Sequence, residues 1–191
     1  GNVKSVYNMV SYLGYDVDIS NEESQIKSAS HIIFPGVGSF GAAIEKIKLQ
    51  IPITLVENEI MYRKKPILGI CVGMQVFADK GSEYGEHKGL GWVNGTVDKL
   101  DVNEVPLPHI GWNNVNVKKK SALFDGLDHI NDFYFVHSYV LNTKIDYILT
   151  ETNYENSFCS SLQKENIYGV QFHPEKSQRA GQKLIHNFLN I

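Results

Sequence analysis

The sequence predicts an α/β fold, with a central mixed, mostly parallel sheet flanked by helices and an antiparallel portion in the second half. Three observations predict it. In the first half, short apolar runs closed by turn residues alternate with stretches of helical spacing, as parallel strands joined by helical crossovers require. Beyond Gly91, strand-like segments follow one another with turn signals between them, which favours antiparallel pairing. No internal repeat, low-complexity tract or long linker divides the 191 residues, so residues 1–191 read as a single domain.

Val3, Val6, Tyr7, Val10 and Leu13 recur at helical spacing, with Asn2 as the expected N-cap and Gly14 as the stop. An α/β chain usually opens on a strand. This one opens on Gly1 and a helix, so a first strand is expected to be missing from the sequence. "YDVDIS" (residues 15–20) reads as a short strand. "HIIFPG" (31–36) is a β-rich apolar run ended by Pro-Gly, as a buried parallel strand would be. "VGSFGAAIEKIK" (37–48) turns into a helix, and residues 52–65 form another. "PILGIC" (66–71) is the next buried strand, and "GMQVFADK" (73–80) starts a helix at once. Later strands are expected in "GWVNGTVDKL" (91–100), "IGWNNVNV" (110–117), "FYFVHSYVL" (133–141), "DYILTETNY" (146–154), "SFCSSLQ" (157–163) and "NIYGVQFH" (166–173). A final helix over 177–191 carries Leu184, Ile185, Phe188 and Leu189 on one stripe.

Composition narrows the function classes. A net charge of −3 carries no nucleic-acid signature, and the cluster Lys118, Lys119 and Lys120 reads as a solvated turn. No apolar run approaches the ~20 residues of a membrane span, and no signal-peptide pattern opens the chain. Two cysteines allow neither a disulfide framework nor a four-cysteine zinc site, so no metal or other cofactor is expected. The expected compartment is the cytoplasm.

Cys71 is the first candidate for chemistry. A strand that ends in a sharp turn and runs straight into a helix is a nucleophile elbow, and Gly69 and Gly73 flank Cys71 two places on either side. A helix start favours a thiolate, and the N–H of Val72 would face an oxyanion above the sulfur. The pattern by itself also fits a small buried cysteine. A base elsewhere decides between the two, and there are seven histidines. His31 and His186 read as structural, His87 and His129 as solvated, and His109 and His137 as strand neighbours. His173 differs: it ends an apolar strand, and Glu175 two places on shares its face in an extended chain. The carboxylate would hold the imidazole tautomer as the third member of a triad. Pro174 tends to keep His173 extended. "FPGVGSFG" (34–41) lacks the Lys-Ser/Thr ending of a phosphate loop and reads as a backbone clamp able to supply a further oxyanion N–H.

Taken together, "GICVGMQ", "FPGVGSFG", "PHIGWNNV", "FYFVHSY" and "NIYGVQFHPEKSQRAGQKLIHNF" resemble the class I (triad) glutamine amidotransferases over nearly the whole chain. More narrowly they resemble the glutaminase subunit of imidazole glycerol phosphate synthase, an enzyme of histidine biosynthesis. The resemblance implies a flavodoxin-like sheet, with Cys71 attacking the side-chain amide of L-glutamine. His173 would be base and then acid, Glu175 would orient it, and a γ-glutamyl thioester would be hydrolysed to glutamate. It places Gly36, Val37, Gly38 and the Val72 N–H around the oxyanion, and Gln75, Ser138 and Tyr139 at the amino-acid end of glutamine. Ammonia would pass to a (β/α)8 cyclase partner in a heterodimer, with Asn2, Trp112, Asn113 and Lys176 facing that partner. Of the turn that normally follows the family's first strand only Gly1 and Asn2 remain, and Cys159 stands where a small apolar residue is usual and reads as core filling. Three other readings stay open: a related glutaminase feeding a sugar amidotransferase of surface-glycan synthesis, a non-enzymatic binding module, and a cysteine hydrolase, many of which carry His directly after the cysteine where this chain has Val72.

Overall fold

An apolar stretch with no polar face has to be covered on both sides, so the run Ile67–Cys71 belongs inside a sheet. The computed structural model, which describes residues 3–127 and 131–191, places it there. The first half contains α1 (Val3–Tyr12), α2 (Glu23–Ser28), β1 (Ile32–Gly36), α3 (Phe40–Gln50), α4 (Ile53–Met61), β2 (Ile67–Cys71) and the single turn α5 (Val72–Gln75). Two short strands, β3 (Lys80–Gly81) and β4 (His87–Lys88), lead to β5 (Gly95–Lys99), β6 (His109–Asn114) and β7 (Asn116–Val117). The second half adds β8 (Asp132–His137), β9 (Tyr139–Thr143), β10 (Ile148–Tyr154), β11 (Asn156–Lys164), β12 (Ile167–Val170) and α6 (Gln178–Phe188).

The main sheet has six strands in the order β1-β2-β12-β11-β10-β7. It is the mixed sheet that the sequence predicts, with β2 parallel to β1 on one side and to β12 on the other. The remaining three ladders are antiparallel, so the parallel share is smaller than expected. The strand-rich second half is also more divided than its sequence pattern: β4-β3-β5-β9 and β6-β8 form two separate small sheets. Every residue of β2 is buried, and β12 is equally enclosed. Helix α6 turns Ala180, Leu184, Ile185 and Phe188 inward, as its apolar spacing requires. Its buried Asn187 is satisfied by the carbonyls of Leu123 and Asp125. Ser39 caps α3 by accepting from the Ala42 N–H.

Three local expectations need correcting. Residues 15–20 form no strand: Tyr15 and Val17 pack against the core, but among the described residues no neighbouring strand lies alongside to complete a ladder. For the same reason β1, at the sheet edge, is half-buried along its length rather than buried. The helix after Cys71 is one turn long, because the chain must reach β3 within a few residues. The expected N-cap Asn2 lies outside the described residues, as does His129. Among the described residues, no helix is long and apolar enough to cross a membrane.

Leu68 is fully buried at the centre of β2, whereas Leu49 on α3 is 84% exposed. Leu68→Ala is expected to lower the unfolding free energy by about 2–5 kcal/mol, and Leu49→Ala to change it by less than about 0.5 kcal/mol, both measured by urea denaturation.

Candidate active site

The site is built outward from the end of β2. Cys71 sits at φ +56°, ψ −116°, a conformation that disfavours a side chain. Such a residue costs of order 1–3 kcal/mol and persists only where its surroundings fix it. Here β2 is held by ladders on both sides, with Cys71 opposite Gly36 in β1 and Ile70 opposite Val170 in β12. The turn is then closed by Val76 N–H donating to Val72 O at 3.0 Å. Two glycines let the end of β1 lie directly on this turn. A Cβ on Gly73 would stand 1.8 Å from Phe34 O, and one on Gly36 would stand 2.6 Å from Gly73 N. This approach brings Val37 and Gly38 beside Cys71.

His173 arrives from the other side of the sheet, at the end of β12. Its N–H donates to Tyr134 O at 2.8 Å, and its carbonyl accepts from Ser177 Oγ at 2.6 Å. Pro174 begins the tight turn that follows and swings Glu175 back toward the ring. His173 Nδ1 and Glu175 Oε1 are 2.8 Å apart, with both side chains almost wholly buried. A carboxylate only accepts, so Nδ1 carries the proton and Nε2 is left for a reacting group. Burial would lower the imidazole pKa. The hydrogen bonds and charges of Cys71 and Glu175 outweigh it and hold the group at about 9. An imidazolium beside the sulfur favours the thiolate.

These groups open onto a cavity of about 190 Å³. It is smaller than the roughly 300 Å³ at which drug-sized pockets begin and suits a molecule of amino-acid size. The cavity gathers Cys71, His173, Val37, Gly38, Val72, Gln75, Ser138 and Tyr139 from the sequence-derived set. Gly36 is not on its wall but lies under the elbow. Glu175 stands behind His173. Lys176 also lines the cavity, with Nζ 5.3 Å from the centre of the Tyr134 ring. Trp112, edge-on to Tyr134, is 48% exposed on β6, together with Ile110. Asn113 alternates to the other face and bonds His109 and the Asn153 carbonyl. Asn2 lies outside the described residues.

Sequence reasoning missed three polar side chains of this neighbourhood, and also Val136, whose carbonyl lies 4.0 Å from Cys71 Sγ. Glu83 lines the cavity and accepts from Phe40 N–H at the start of α3. His137, read as a strand neighbour, is on the cavity wall and bonded to His109 at 3.0 Å. Gln171 is fully buried and reaches Cys71 Sγ at 3.7 Å. Burial pushes the His109 pKa down to about 4. Burial, with the charge of His109 next, pushes His137 down to about 3. The second cysteine, Cys159, is buried in β11, and burial raises its thiol to about 12. That is a packed, inert thiol.

The class that this fold and site define is that of the class-I glutamine amidotransferases, whose family model, "Glutamine amidotransferase class-I", matches residues 1–191. Solved structures agree on the fold: a glutamine amidotransferase superposes with a TM-score of 0.74 at 15% identity over 100% of this chain and 93% of its own. PurLQS from Thermotoga maritima gives 0.74 at 16% identity over 98% of this chain and 91% of that one. Sequence relatives are nearer. Imidazole glycerol phosphate synthase subunit HisH 2 of Vibrio vulnificus (strain YJ016) is 44% identical over 100% of this chain and 90% of its own length. Subunit HisH of Pelagibacter ubique (strain HTCC1062) is 41% identical over 100% and 95%. That of Archaeoglobus fulgidus is 38% identical over 100% and 94%. The chain belongs to the class-I glutamine amidotransferases and, within them, to the family of imidazole glycerol phosphate synthase HisH subunits.

The neutral histidine pair has a consequence for stability. Unfolded histidine binds its proton near pH 6.5, whereas His109 and His137 in the folded chain bind theirs only near 4 and 3. Between those limits the unfolded chain holds more protons, so stability falls as the pH is lowered. The urea midpoint is expected to drop between about pH 6.5 and 4, and to drop less steeply in His137→Gln than in the unsubstituted protein.

Proposed function

We propose that this chain is the glutaminase subunit of an imidazole glycerol phosphate synthase, hydrolysing L-glutamine to glutamate and ammonia. The observation that carries the reading is Cys71, held at a strained elbow beside the buried His173–Glu175 pair, in a cavity of amino-acid size. The thiolate of Cys71 attacks the side-chain amide carbon of glutamine. Negative charge grows on the amide oxygen, where the Val72 N–H and the backbone of residues 36–38 supply donors. Protonated His173 gives its proton to the departing amine, and ammonia leaves behind a γ-glutamyl thioester. His173, now neutral, takes a proton from water, which attacks the thioester and releases glutamate. Glu175 keeps the ring in one tautomer and stabilises its charged form.

Substrate orientation falls to the far wall. Both N–H groups of Gln75 are engaged, with Tyr139 O at 2.8 Å and Gln171 Oε1 at 2.9 Å. Its carbonyl oxygen is therefore the atom that meets the substrate ammonium. Ser138 and Tyr139 line the same end, and Lys176 supplies positive charge for the carboxylate side.

The relatives are named as subunits of imidazole glycerol phosphate synthase, and the same assembly is proposed here. A (β/α)8 cyclase partner would receive the ammonia and form imidazole glycerol phosphate and an aminoimidazole carboxamide ribonucleotide, in the cytoplasm. The exposed face of β6 with Ile110 and Trp112, next to Lys176, supports a docking surface at the mouth of the cavity. Residues 1–191 then work as one domain.

Cys71→Ala is expected to reduce glutamate release by at least about a thousandfold, assayed with glutamine, the cyclase subunit and its nucleotide substrate. The same variant should still form the complex by gel filtration. The unsubstituted chain assayed alone should release far less glutamate than it does in the complex, since such enzymes gate hydrolysis through a conformational step.

A further inference from the structure

We propose that Gln171 is a positioning residue for the nucleophile, its side-chain amide donating a hydrogen bond to the sulfur of Cys71 in a direction fixed by the backbone carbonyl of Tyr139. The inference deepens the glutaminase reading and rests on it for the identity of the nucleophile.

The direction of the bond follows from what each group is able to do. Tyr139 O only accepts, so the Gln75 amide atom 2.8 Å from it is the nitrogen. The other N–H of that nitrogen meets a side-chain atom of Gln171 at 2.9 Å, which has to accept and is therefore the oxygen, Oε1. The opposite end of the Gln171 amide is then its NH2 group, and that end lies 3.7 Å from Cys71 Sγ. Turning the Gln171 amide over would set two nitrogens against each other and aim an oxygen at the sulfur. The carbonyl is held in turn by a second donor, His137 Nδ1, at 3.1 Å. Since Nδ1 of the neutral ring carries the proton, His137 Nε2 accepts from His109 Nδ1 at 3.0 Å. His109 Nε2 then accepts from Asn113 Nδ2 at 3.2 Å, and the orientation of Asn113 is fixed by Asn153 O and the Asn114 N–H. A polarised chain of hydrogen bonds therefore runs from β6 to the anchoring carbonyl.

The packing around position 171 calls for an acceptor only at Gln75, whose N–H meets Gln171 Oε1, and for no donor other than toward the sulfur. The residue is fully buried, and its neighbours Val170 and Phe172 are apolar and equally enclosed. Burying an amide costs free energy unless its groups are bonded, and an unbranched apolar side chain of the same length would avoid that cost. A donor aimed at sulfur is worth more to a thiolate than to a thiol, because hydrogen bonds to the charged form stabilise it. Gln171 therefore acts from beneath the sulfur while His173 acts from the side.

The test reads the thiol itself and needs neither glutamine nor partner. In the full chain, Cys71 alkylation by iodoacetamide is followed by mass spectrometry against pH for the unsubstituted protein, Gln171→Met and Gln171→Leu. The titratable and charged groups facing this sulfur or its cavity are His173, Glu175, His137, Glu83, Tyr139 and Lys176, and none changes between the variants. Loss of the donor is expected to move the alkylation midpoint up by about one pH unit, with about a tenfold slower reaction below it. A purely structural role would leave the midpoint in place. A midpoint unmoved in a folded Gln171→Met or Gln171→Leu protein overturns the proposal. The unsubstituted protein supplies a second readout independent of either variant's folding. The side-chain amide resonances of Gln171 should shift with the same midpoint as alkylation and lose that step in Cys71→Ala. Resonances that ignore the thiol titration overturn the proposal equally. An active glutaminase with an unmoved midpoint would refute this inference alone, whereas a moved midpoint beside an unsubstituted complex that releases no glutamate would refute only the catalytic reading.

Discussion

A cysteine held at positive φ at the end of a fully buried strand is the constraint on which the rest of this structure depends. No L-residue with a side chain adopts that conformation without cost, so the surroundings of Cys71 have to specify it. Parallel ladders on both edges of β2 fix the strand, and the glycines at 36 and 73 let two backbones close to a distance that any Cβ would prevent. The same closeness carries the end of β1 to the sulfur. Strain, sheet topology and the cavity wall beside the sulfur are thus one arrangement, and the loss of any part would move the others.

Charge is distributed around the elbow with equal economy. Of the three histidines on or behind the cavity wall, His109 and His137 are held neutral by burial, and only His173, backed by Glu175, is pushed toward its charged form. A single cation beside a cysteine is the arrangement that stabilises a thiolate, whereas three would compete for protons and repel one another. The neutral pair contributes geometry, by bonding the carbonyl that orients Gln75 and, through it, Gln171. Cys159 marks the contrast. It has the same side chain and similar burial, but it is bonded to the Ser161 carbonyl and faces the charge of Glu151, and burial keeps its thiol protonated.

The legible parts of the sequence were those whose signal is local. The elbow is written in Gly69, Cys71 and Gly73, the orienting carboxylate in the His173-to-Glu175 spacing, and helix α6 in its apolar stripe. What sequence reasoning missed depends on pairing between distant segments. His109 and His137 meet because β6 and β8 align them in register across 28 residues. Gln171 sits just past β12 in an otherwise apolar run, where a lone polar residue gives no hint of the sulfur opposite it, a hundred residues away. Residues 15–20 failed in the reverse sense: Tyr15 and Val17 are half-buried, but Ile19 is exposed, and a strand also needs a neighbour, which a short local pattern does not report.

The central claim is that Cys71, and not merely a cysteine-containing chain, is the group that attacks glutamine. The most direct measurement is to incubate the complex with a glutamine-shaped chloroketone and map the adduct by peptide mass spectrometry. One equivalent on Cys71, prevented by excess glutamine, is the predicted result. An adduct on Cys159, or an unlabelled Cys71 in a complex that still releases glutamate, would contradict the account.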